Sequence, residues 1–346
     1  MPRAKYWLIS VVLIALAAVP ASLTAQGQGD TPTLKTIVVR DGVELHYEER
    51  GQGIPVVFVH GSLSDGSYWH DQLAPFAEAG FRAIAYSRRY NFPNNNKPRP
   101  GYSAIVDADD LAALIQKLHL SKVDVVGHSY GALTALFFAV RHSELVRRLV
   151  LCEAPAVSLL AHLPGDQSAM GRETLADIEV RMVKPMQAAF QRGDDDAGLR
   201  IFMDYVMRDA HAWEKMSESA REETLKEVHE WDVMMTTGEL FPTIDPQAVR
   251  NIRVPVLLLS GEKSYPFLSL IDEELARFLP NNQRIIVRGA GHQMWFEQPD
   301  ECRKDVLEFL RSDESKRGRV FQRDLRILPF VGSSVGQSSQ RVYRAD

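Results

Sequence analysis

Cysteine is scarce in this chain of 346 residues, in which Cys152 and Cys302 are the only two. Two cysteines cannot build the several disulfides that hold a small secreted scaffold together. One lies at the end of a predicted strand and the other in a predicted helix, so the sequence fixes no distance between them. We expect two buried free thiols, with a disulfide in an exported protein as the open alternative.

Excess positive charge is also absent. Lys and Arg total 40 against 45 Asp and Glu, which gives a formal net charge of −5 without a basic stripe. This balance disfavours a nucleic-acid partner. The sequence also contains no internal repeat, metal-ligand cluster, P-loop or dinucleotide fingerprint. We therefore expect neither a metal nor a cofactor.

The N-terminus has the composition of a targeting segment. Arg3 and Lys5 precede an apolar stretch over residues 8–19, which is short for a bilayer span. We predict a secretory signal over residues 1–25, cleaved after Ala21 or Ala25, and export to the periplasm or the medium. A retained N-terminal anchor is the alternative, and after signal removal we expect no stable membrane span.

A nucleophile motif is the centre of the remaining sequence. The β-branched run from Val123 leads into Gly127-His128-Ser129-Tyr130-Gly131, and an apolar, helix-like segment follows. A strand, G-x-S-x-G and a helix together indicate a sharp turn that exposes the serine hydroxyl at a helix N-terminus. Ser129 is therefore the predicted nucleophile. Taken alone, the motif would fit a helix-capping serine equally well.

Short apolar strands alternate with amphipathic helices on both sides of a long strand-free stretch. This pattern predicts an α/β core over residues 33–155 and 251–312, with a helical lid over 156–250. In the predicted helix over residues 103–119, Asp107, Asp109 and Asp110 are expected to be solvated charges near the helix start. The Ser/Gly-rich segment 313–346 is predicted to be a disordered tail.

A histidine follows the last predicted strand, in Gly289-Ala290-Gly291-His292. Glycines allow this loop to approach the nucleophile, and an imidazole that titrates near neutral pH can take and return the serine proton. His292 is therefore the predicted general base.

With these motifs in this order, residues 36–310 resemble the α/β-hydrolases. The resemblance implies a mostly parallel sheet of eight strands with helices on both faces and a lid inserted after strand 6. It also implies an oxyanion hole formed by the backbone N–H groups of Ser62, after His60-Gly61, and of Tyr130. His60 itself is expected to be structural.

The acid of the triad is not in its usual place. Most resembling enzymes have an aspartate after strand 7, where this chain has Ser264. Haloalkane dehalogenases of one group and zearalenone lactonases place a glutamate at the end of strand 6, and this chain resembles them in Glu153. We predict Glu153 as the acid, with Glu262 and Asp272 as alternatives.

The loop after residue 87 departs from the Asp-x-Arg-Gly-x-Gly turn of many related hydrolases. Its Arg89 and Tyr90, together with Trp213 and Trp231 of the lid, are candidate pocket residues. Arginines that only tie down the loop are the alternative for Arg88 and Arg89.

These features predict a secreted serine hydrolase that cleaves an ester, lactone or related small carbonyl substrate through an acyl-enzyme on Ser129. A C–C hydrolase, thioesterase or haloperoxidase would use the same groups. A catalytically weak, ligand-binding relative is the contrasting hypothesis, because Ser264 stands at the usual aspartate position. Sequence does not indicate the natural substrate or the oligomeric state.

Overall fold

The computed structural model describes residues 33–312. The predicted signal over 1–25 and the predicted tail over 313–346 lie outside the described residues and stay predictions. Among residues 33–312, no helix combines the length and the apolar character that crossing a bilayer requires.

Eight strands form one sheet in the order β1-β2-β4-β3-β5-β6-β7-β8. The first two strands pair in an antiparallel manner, β2 is also antiparallel to β4, and the remaining pairs are parallel. The strands are β1 Lys35–Val38, β2 Glu44–Arg50, β3 Ile54–Val59, β4 Phe81–Tyr86, β5 Val123–His128, β6 Val146–Cys152, β7 Val256–Gly261 and β8 Asn282–Val287. The predicted mostly parallel sheet of eight strands is confirmed.

Side chains of the central strands are buried on both faces of this sheet. In β3, Val57 and Val59 belong to one apolar core, while Val56 and Phe58 belong to a second. Strands covered on both sides read as continuous apolar runs rather than as alternating ones, which is why β3 could be recognised in the sequence.

Helices cover both faces, as predicted. Residues of α2, α3 and α11 pack in the first core, whereas residues of α1 and α13 pack in the second. The helices of the α/β core are α1 His70–Glu78, α2 Ala104–Lys117, α3 Tyr130–Arg141, α11 Pro266–Phe278, α12 Met294–Glu297 and α13 Pro299–Arg311.

Residues 157–250, all described by the structure, contain helices and no strand. The helices are α4 Gln167–Ile178, continued by a π-helical turn Glu179–Val183, α5 Lys184–Phe190, α6 Asp195–Met207, α7 Ala212–Lys215, α8 Glu218–Lys226, α9 Val228–Thr237 and α10 Pro246–Arg250. That this helical segment acts as a lid stays a prediction.

Cys152 and Cys302 are both buried and free. Burial raises the pKa of the Cys302 thiol to about 12 and raises that of Cys152 as well. Both side chains are therefore apolar parts of the second core rather than reactive thiols.

The parallel arrangement has one consequence for function. The carboxyl ends of β3, β5, β6 and β7 all lie at the same edge of the sheet. His60, Ser129, Glu153 and Glu262 directly follow these four strands. Ligands of open α/β sheets bind at this edge.

Candidate active site

Ser129 lies between the last residue of β5 and the first residue of α3. Its backbone has φ 54° and ψ −123°, a conformation that is costly for a residue with a side chain, by about 1–3 kcal/mol. Its N–H donates to the carbonyl of Cys152, which anchors the turn to the end of β6 at 2.9 Å. The predicted strand–turn–helix around the serine is present, with its backbone strain concentrated on Ser129.

The two glycines of the motif are explained by close backbone approaches. A Cβ on Gly127 would lie 2.4 Å from the carbonyl oxygen of Gly131. A Cβ on Gly131 would lie 2.2 Å from the carbonyl oxygen of Val59, in β3. Neither contact is sterically possible, so only glycine allows the strand, the turn and the helix to pack this tightly.

Glu153 and His292 contact each other across a large separation in sequence. Oε2 of Glu153 lies 2.5 Å from Nδ1 of His292, and the glutamate side chain is only 1% exposed. The other carboxylate oxygen accepts a hydrogen bond from the Gly261 N–H at 2.8 Å, and the Ser264 hydroxyl donates to Oε2 at 2.7 Å. A buried carboxylate with three donors is a suitable partner for an imidazolium.

The two alternative acids make other contacts. Glu262 accepts a hydrogen bond from the Gly289 N–H at 2.8 Å, and Asp272 accepts one from the Ser260 hydroxyl at 2.6 Å. Burial raises the pKa of Asp272 to about 8, although the hydrogen bond from Ser260 lowers it. Neither carboxylate is hydrogen-bonded to His292, so the contacts favour Glu153 over both alternatives.

His128, the neighbour of Ser129, holds the loop that carries the predicted base. Its Nε2 lies 2.8 Å from the carbonyl oxygen of His292, to which it can only donate. The two imidazole rings are 4.8 Å apart, and the ring of Tyr68 stacks on His128 at 5.2 Å. Burial, and then the charge of His292, lower the pKa of His128 to about 3, so this ring is neutral at physiological pH. The contacts bring the serine turn and the histidine loop together.

The loop after β3 packs directly against the nucleophile. A Cβ on Gly61 would lie 3.1 Å from the Cβ of Ser129, so Ser62 follows a residue in contact with the serine. Tyr130 is the first residue of α3, where N–H groups have no intrahelical acceptor. This placement agrees with the predicted oxyanion hole, but the role of the two N–H groups stays a prediction.

The four candidate pocket side chains are all buried, at 1–4% exposure. Both Nε and Nη2 of Arg89 donate to Asp110 at 2.6 Å, which favours a structural role. The ring of Tyr90 packs on Tyr102, the indole of Trp213 donates to Asp196, and Trp231 packs on Phe202. Their predicted contact with substrate stays a prediction.

The expectation that the acids of α2 are solvated was wrong for two of the three. Asp107 and Asp110 are each 1% exposed, and they pair with Arg88 and Arg89. These arginines follow β4, and each requires a buried counterion, because an unpaired buried charge is very costly. Two adjacent arginines at a strand end, followed by two acids on one helix face, were the sequence signal for this pairing.

A buried network around Arg88 was not predicted either. Its guanidinium donates to Asp107 at 2.8 Å and to Glu230 of α9, while Glu230 also accepts from the Asn91 amide at 2.8 Å. Burial raises the pKa of Asp107 to about 6 even though Arg88 lowers it. The network joins the loop after β4 to the helical segment.

Within residues 33–312, no group of three or more His, Cys, Asp or Glu side chains is arranged to hold a metal ion. The chemistry available at this edge of the sheet is that of a hydroxyl, an imidazole, a carboxylate and backbone N–H groups. This set matches nucleophilic acyl transfer, in which a base activates a serine and an acid orients the base.

A sequence model described as the alpha/beta hydrolase family matches residues 56–305. The chain is 42% identical over 116 residues to a protein named non-heme chloroperoxidase CPO-A1, of Kitasatospora aureofaciens, but this match covers 33% of the chain and 42% of that protein. It is 28% identical over 287 residues to a protein named non-heme bromoperoxidase BpoC, of Mycobacterium tuberculosis, covering 78% of the chain and 98% of the relative.

Among solved structures, the enol-lactonase of Burkholderia xenovorans LB400 is similar with a TM-score of 0.61 and 21% sequence identity. The likeness covers 80% of this chain and all of the lactonase (100%). At this level of identity it supports the fold alone.

Proposed function

The chain belongs to the alpha/beta hydrolase family, and from this premise we propose that it is a secreted serine hydrolase of an ester, lactone or related carbonyl substrate. One observation carries the proposal: the Glu153 carboxylate contacts Nδ1 of His292 at 2.5 Å, at the sheet edge where Ser129 sits on a strained turn. Glu153 supplies the charge that Ser264 cannot, which argues against a catalytically weak ligand-binding protein.

The proposed reaction uses these groups in two steps. The Ser129 oxygen attacks the substrate carbonyl carbon while Nε2 of His292 takes the hydroxyl proton, and Glu153 stabilises the resulting imidazolium through Nδ1–H. The N–H groups of Ser62 and Tyr130 stabilise the oxyanion. His292 then protonates the leaving alcohol oxygen as the C–O bond breaks. Water, deprotonated by the same imidazole, releases the acid and restores Ser129.

The names of two relatives favour a second candidate activity. Both are named haloperoxidases, and an acyl-enzyme that hydrogen peroxide attacks in place of water would release a peracid. The same hydroxyl, imidazole and carboxylate would serve, so the two activities differ in the nucleophile of the second step. Assays of the purified protein with and without hydrogen peroxide distinguish them by the product.

The proposal that the helical segment is a lid is supported by contacts near His292. The ring of Tyr265 lies 5.4 Å from the ring of His292, and the Tyr265 hydroxyl lies 4.0 Å from the sulfur of Met207 in α6. Met207 of the helical segment therefore contacts Tyr265, which in turn contacts the predicted base His292. Covering of the site by this segment would exclude water and define the substrate pocket.

The proposed nucleophile is tested with wild-type protein and Ser129→Ala. We expect wild type to hydrolyse p-nitrophenyl acetate or butyrate and to be labelled by a fluorophosphonate on the peptide containing Ser129. Ser129→Ala should fold normally, lose at least about three orders of magnitude in kcat and remain unlabelled. Folded wild-type protein that is not labelled at Ser129 would instead support the ligand-binding alternative.

Export is a separate part of the proposal, supported by the charged start and the apolar stretch of residues 1–25. Expression of the full chain in a bacterium, followed by fractionation and N-terminal sequencing, tests it. We expect a mature N-terminus after Ala21 or Ala25. Uncleaved protein in the membrane fraction would indicate the retained anchor.

A further inference from the structure

Arg88 contacts two consecutive carbonyl groups of the loop that carries one predicted oxyanion donor. Its Nη2 donates to the carbonyl of Gly61 at 2.9 Å, and its Nε donates to that of His60 at 3.3 Å. The Arg88 backbone N–H donates to Nε2 of His60 at 2.9 Å, so the proton of this imidazole resides on Nδ1. That Nδ1–H in turn donates to the Gly61 carbonyl at 2.8 Å.

The Gly61 carbonyl and the Ser62 N–H belong to one peptide unit. In a trans peptide they point in opposite directions in one plane, so fixing the oxygen also fixes the direction of the N–H. Two donors on this oxygen, from Arg88 and His60, prevent rotation of the peptide. A cationic donor on the carbonyl also polarises the amide, which strengthens the N–H as a donor.

We propose that Arg88 is a positioning residue for the oxyanion hole, and that Glu230 of the helical segment holds it in place. The inference rests on the proposed serine hydrolase function, in which the Ser62 N–H stabilises the oxyanion. Arg88 touches neither Ser129 nor His292 in the contacts of residues 33–312, and it acts through the Gly61–Ser62 peptide.

The guanidinium also contacts the side chain of the residue that carries the second predicted oxyanion donor. Its central carbon lies 4.9 Å from the centre of the Tyr130 ring, and Tyr130 carries the second N–H. A cation over an aromatic face is attracted to it, more strongly where both groups are removed from water. Arg88 and Tyr130 are both almost fully buried. The Arg88 side chain therefore contacts the Gly61 carbonyl on one side and the ring of the residue that carries the second predicted N–H on the other.

Buried counterions make this arrangement possible. Arg88 is 0% exposed, and it is paired with Asp107 of α2 and with Glu230 of α9. Glu230 belongs to the helical segment. One of its carboxylate oxygens contacts Arg88, and the other accepts a hydrogen bond from the Asn91 amide. Movement of α9 would therefore displace Arg88 and, through it, the peptide that carries the predicted oxyanion donor.

The test compares Arg88→Lys with Arg147→Lys. Lysine keeps the charge of Arg88 but cannot reproduce the fork that contacts both carbonyls. Arg147 is the matched control, since it pairs with the buried Asp124 near the start of β5, away from the edge that carries Ser129. The measurements are the melting temperature, kcat and KM on p-nitrophenyl butyrate, and the rate of phosphonylation by a fluorophosphonate.

For Arg88→Lys we expect kcat and the phosphonylation rate to fall together by about tenfold to a hundredfold, with little change in KM. Stabilisation lost only in the transition state has this signature. Arg147→Lys should lower the melting temperature and leave kcat unchanged. If Arg88 has only a structural role, Arg88→Lys will also lower the melting temperature and leave kcat unchanged. That outcome overturns the inference.

Glu230→Gln provides a second route, which decides the question if Arg88→Lys does not fold. It neutralises a buried partner of Arg88 while its control, Asp124→Asn, neutralises the buried partner of Arg147. We expect kcat to fall in Glu230→Gln alone, with KM retained; equal kcat in the two variants contradicts the inference. If wild type and Arg88→Lys are both labelled at Ser129 and at the same rate, only this inference is refuted. If wild type is not labelled at all, the proposed function is refuted.

Discussion

The Ser264 hydroxyl donates a hydrogen bond to Oε2 of Glu153 at 2.7 Å, the same oxygen that lies 2.5 Å from Nδ1 of His292. Ser264 stands where most resembling enzymes have the acid itself. Residues that follow β6 and β7 therefore meet at one carboxylate oxygen. Glu153, after β6, supplies the carboxylate that contacts the imidazole, and Ser264, after β7, supplies a neutral donor to that carboxylate.

Loss of the Ser264 hydroxyl should weaken the orientation of Glu153. A hydrogen bond to a charged group contributes about 1.5–3 kcal/mol, so we expect Ser264→Ala to lower kcat/KM by about tenfold to a hundredfold. Ser260→Ala is the matched control, because Ser260 also donates to a buried carboxyl group, that of Asp272. Steady-state kinetics on a p-nitrophenyl ester should find Ser260→Ala near wild type; equal losses in both variants would assign Ser264 a structural role only.

Glu153→Gln should nearly abolish turnover. Replacement of a triad acid by its amide typically costs about four orders of magnitude in kcat, because the imidazolium loses its counter-charge and the tautomer is no longer fixed. Asp272→Asn and Glu262→Gln should retain most of the activity, since neither carboxylate meets the imidazole. A collapse of kcat in either of these two variants, with Glu153→Gln active, would show that the acid has been assigned to the wrong residue.

An aspartate at position 264 should partly replace Glu153. The Ser264 oxygen is already 2.7 Å from the carboxylate oxygen that meets His292, and an aspartate extends one atom further from the backbone than serine. In the Glu153→Gln background we expect Ser264→Asp to restore part of kcat, by at least about tenfold. Ser264→Asn in the same background is the control without charge, and activity that rises equally in both would contradict an acid role.

His128 should make folding sensitive to acid. Its pKa is about 3 in the folded protein against an ordinary 6.5, so between these values the unfolded chain binds more protons. The contribution of His128 to the free energy of unfolding is fully present above about pH 6.5. It is lost as the pH falls toward 3, by at most about 1.4 kcal/mol per pH unit. Urea unfolding at pH values from 7.5 to 4.5 checks this. The free energy of unfolding of His128→Gln should fall less steeply with decreasing pH than that of wild type.

His211→Gln is the control for this series, because the side chain of His211 is 75% exposed. It should keep the wild-type pH dependence of the unfolding free energy. Identical slopes for wild type and His128→Gln would mean that His128 does not carry the acid sensitivity.

Much of the site could be predicted because its signals are local. Glycine spacing around Ser129 encodes a turn whose backbone approaches exclude any side chain. In the loop before His292, Gly289 has a positive φ of 75°, a backbone conformation that glycine adopts readily. The choice of Glu153 required a resemblance, since nothing in the residues around it distinguishes it from Glu262 or Asp272. The error at Asp107 and Asp110 has the same origin, because a helix-start acid looks identical whether water or an arginine faces it.

Sequence by itself determined the alternation of strands and helices, the strand–serine–helix turn and the position of the histidine loop, since each depends on interactions between residues close in the chain. Only the tertiary structure decided which carboxylate contacts His292 and which acids neutralise Arg88 and Arg89. These partners lie 19 to 142 residues apart and meet through strand order and burial. Desolvation makes an unpaired buried charge too costly, so the fold, rather than any motif, selects the partner.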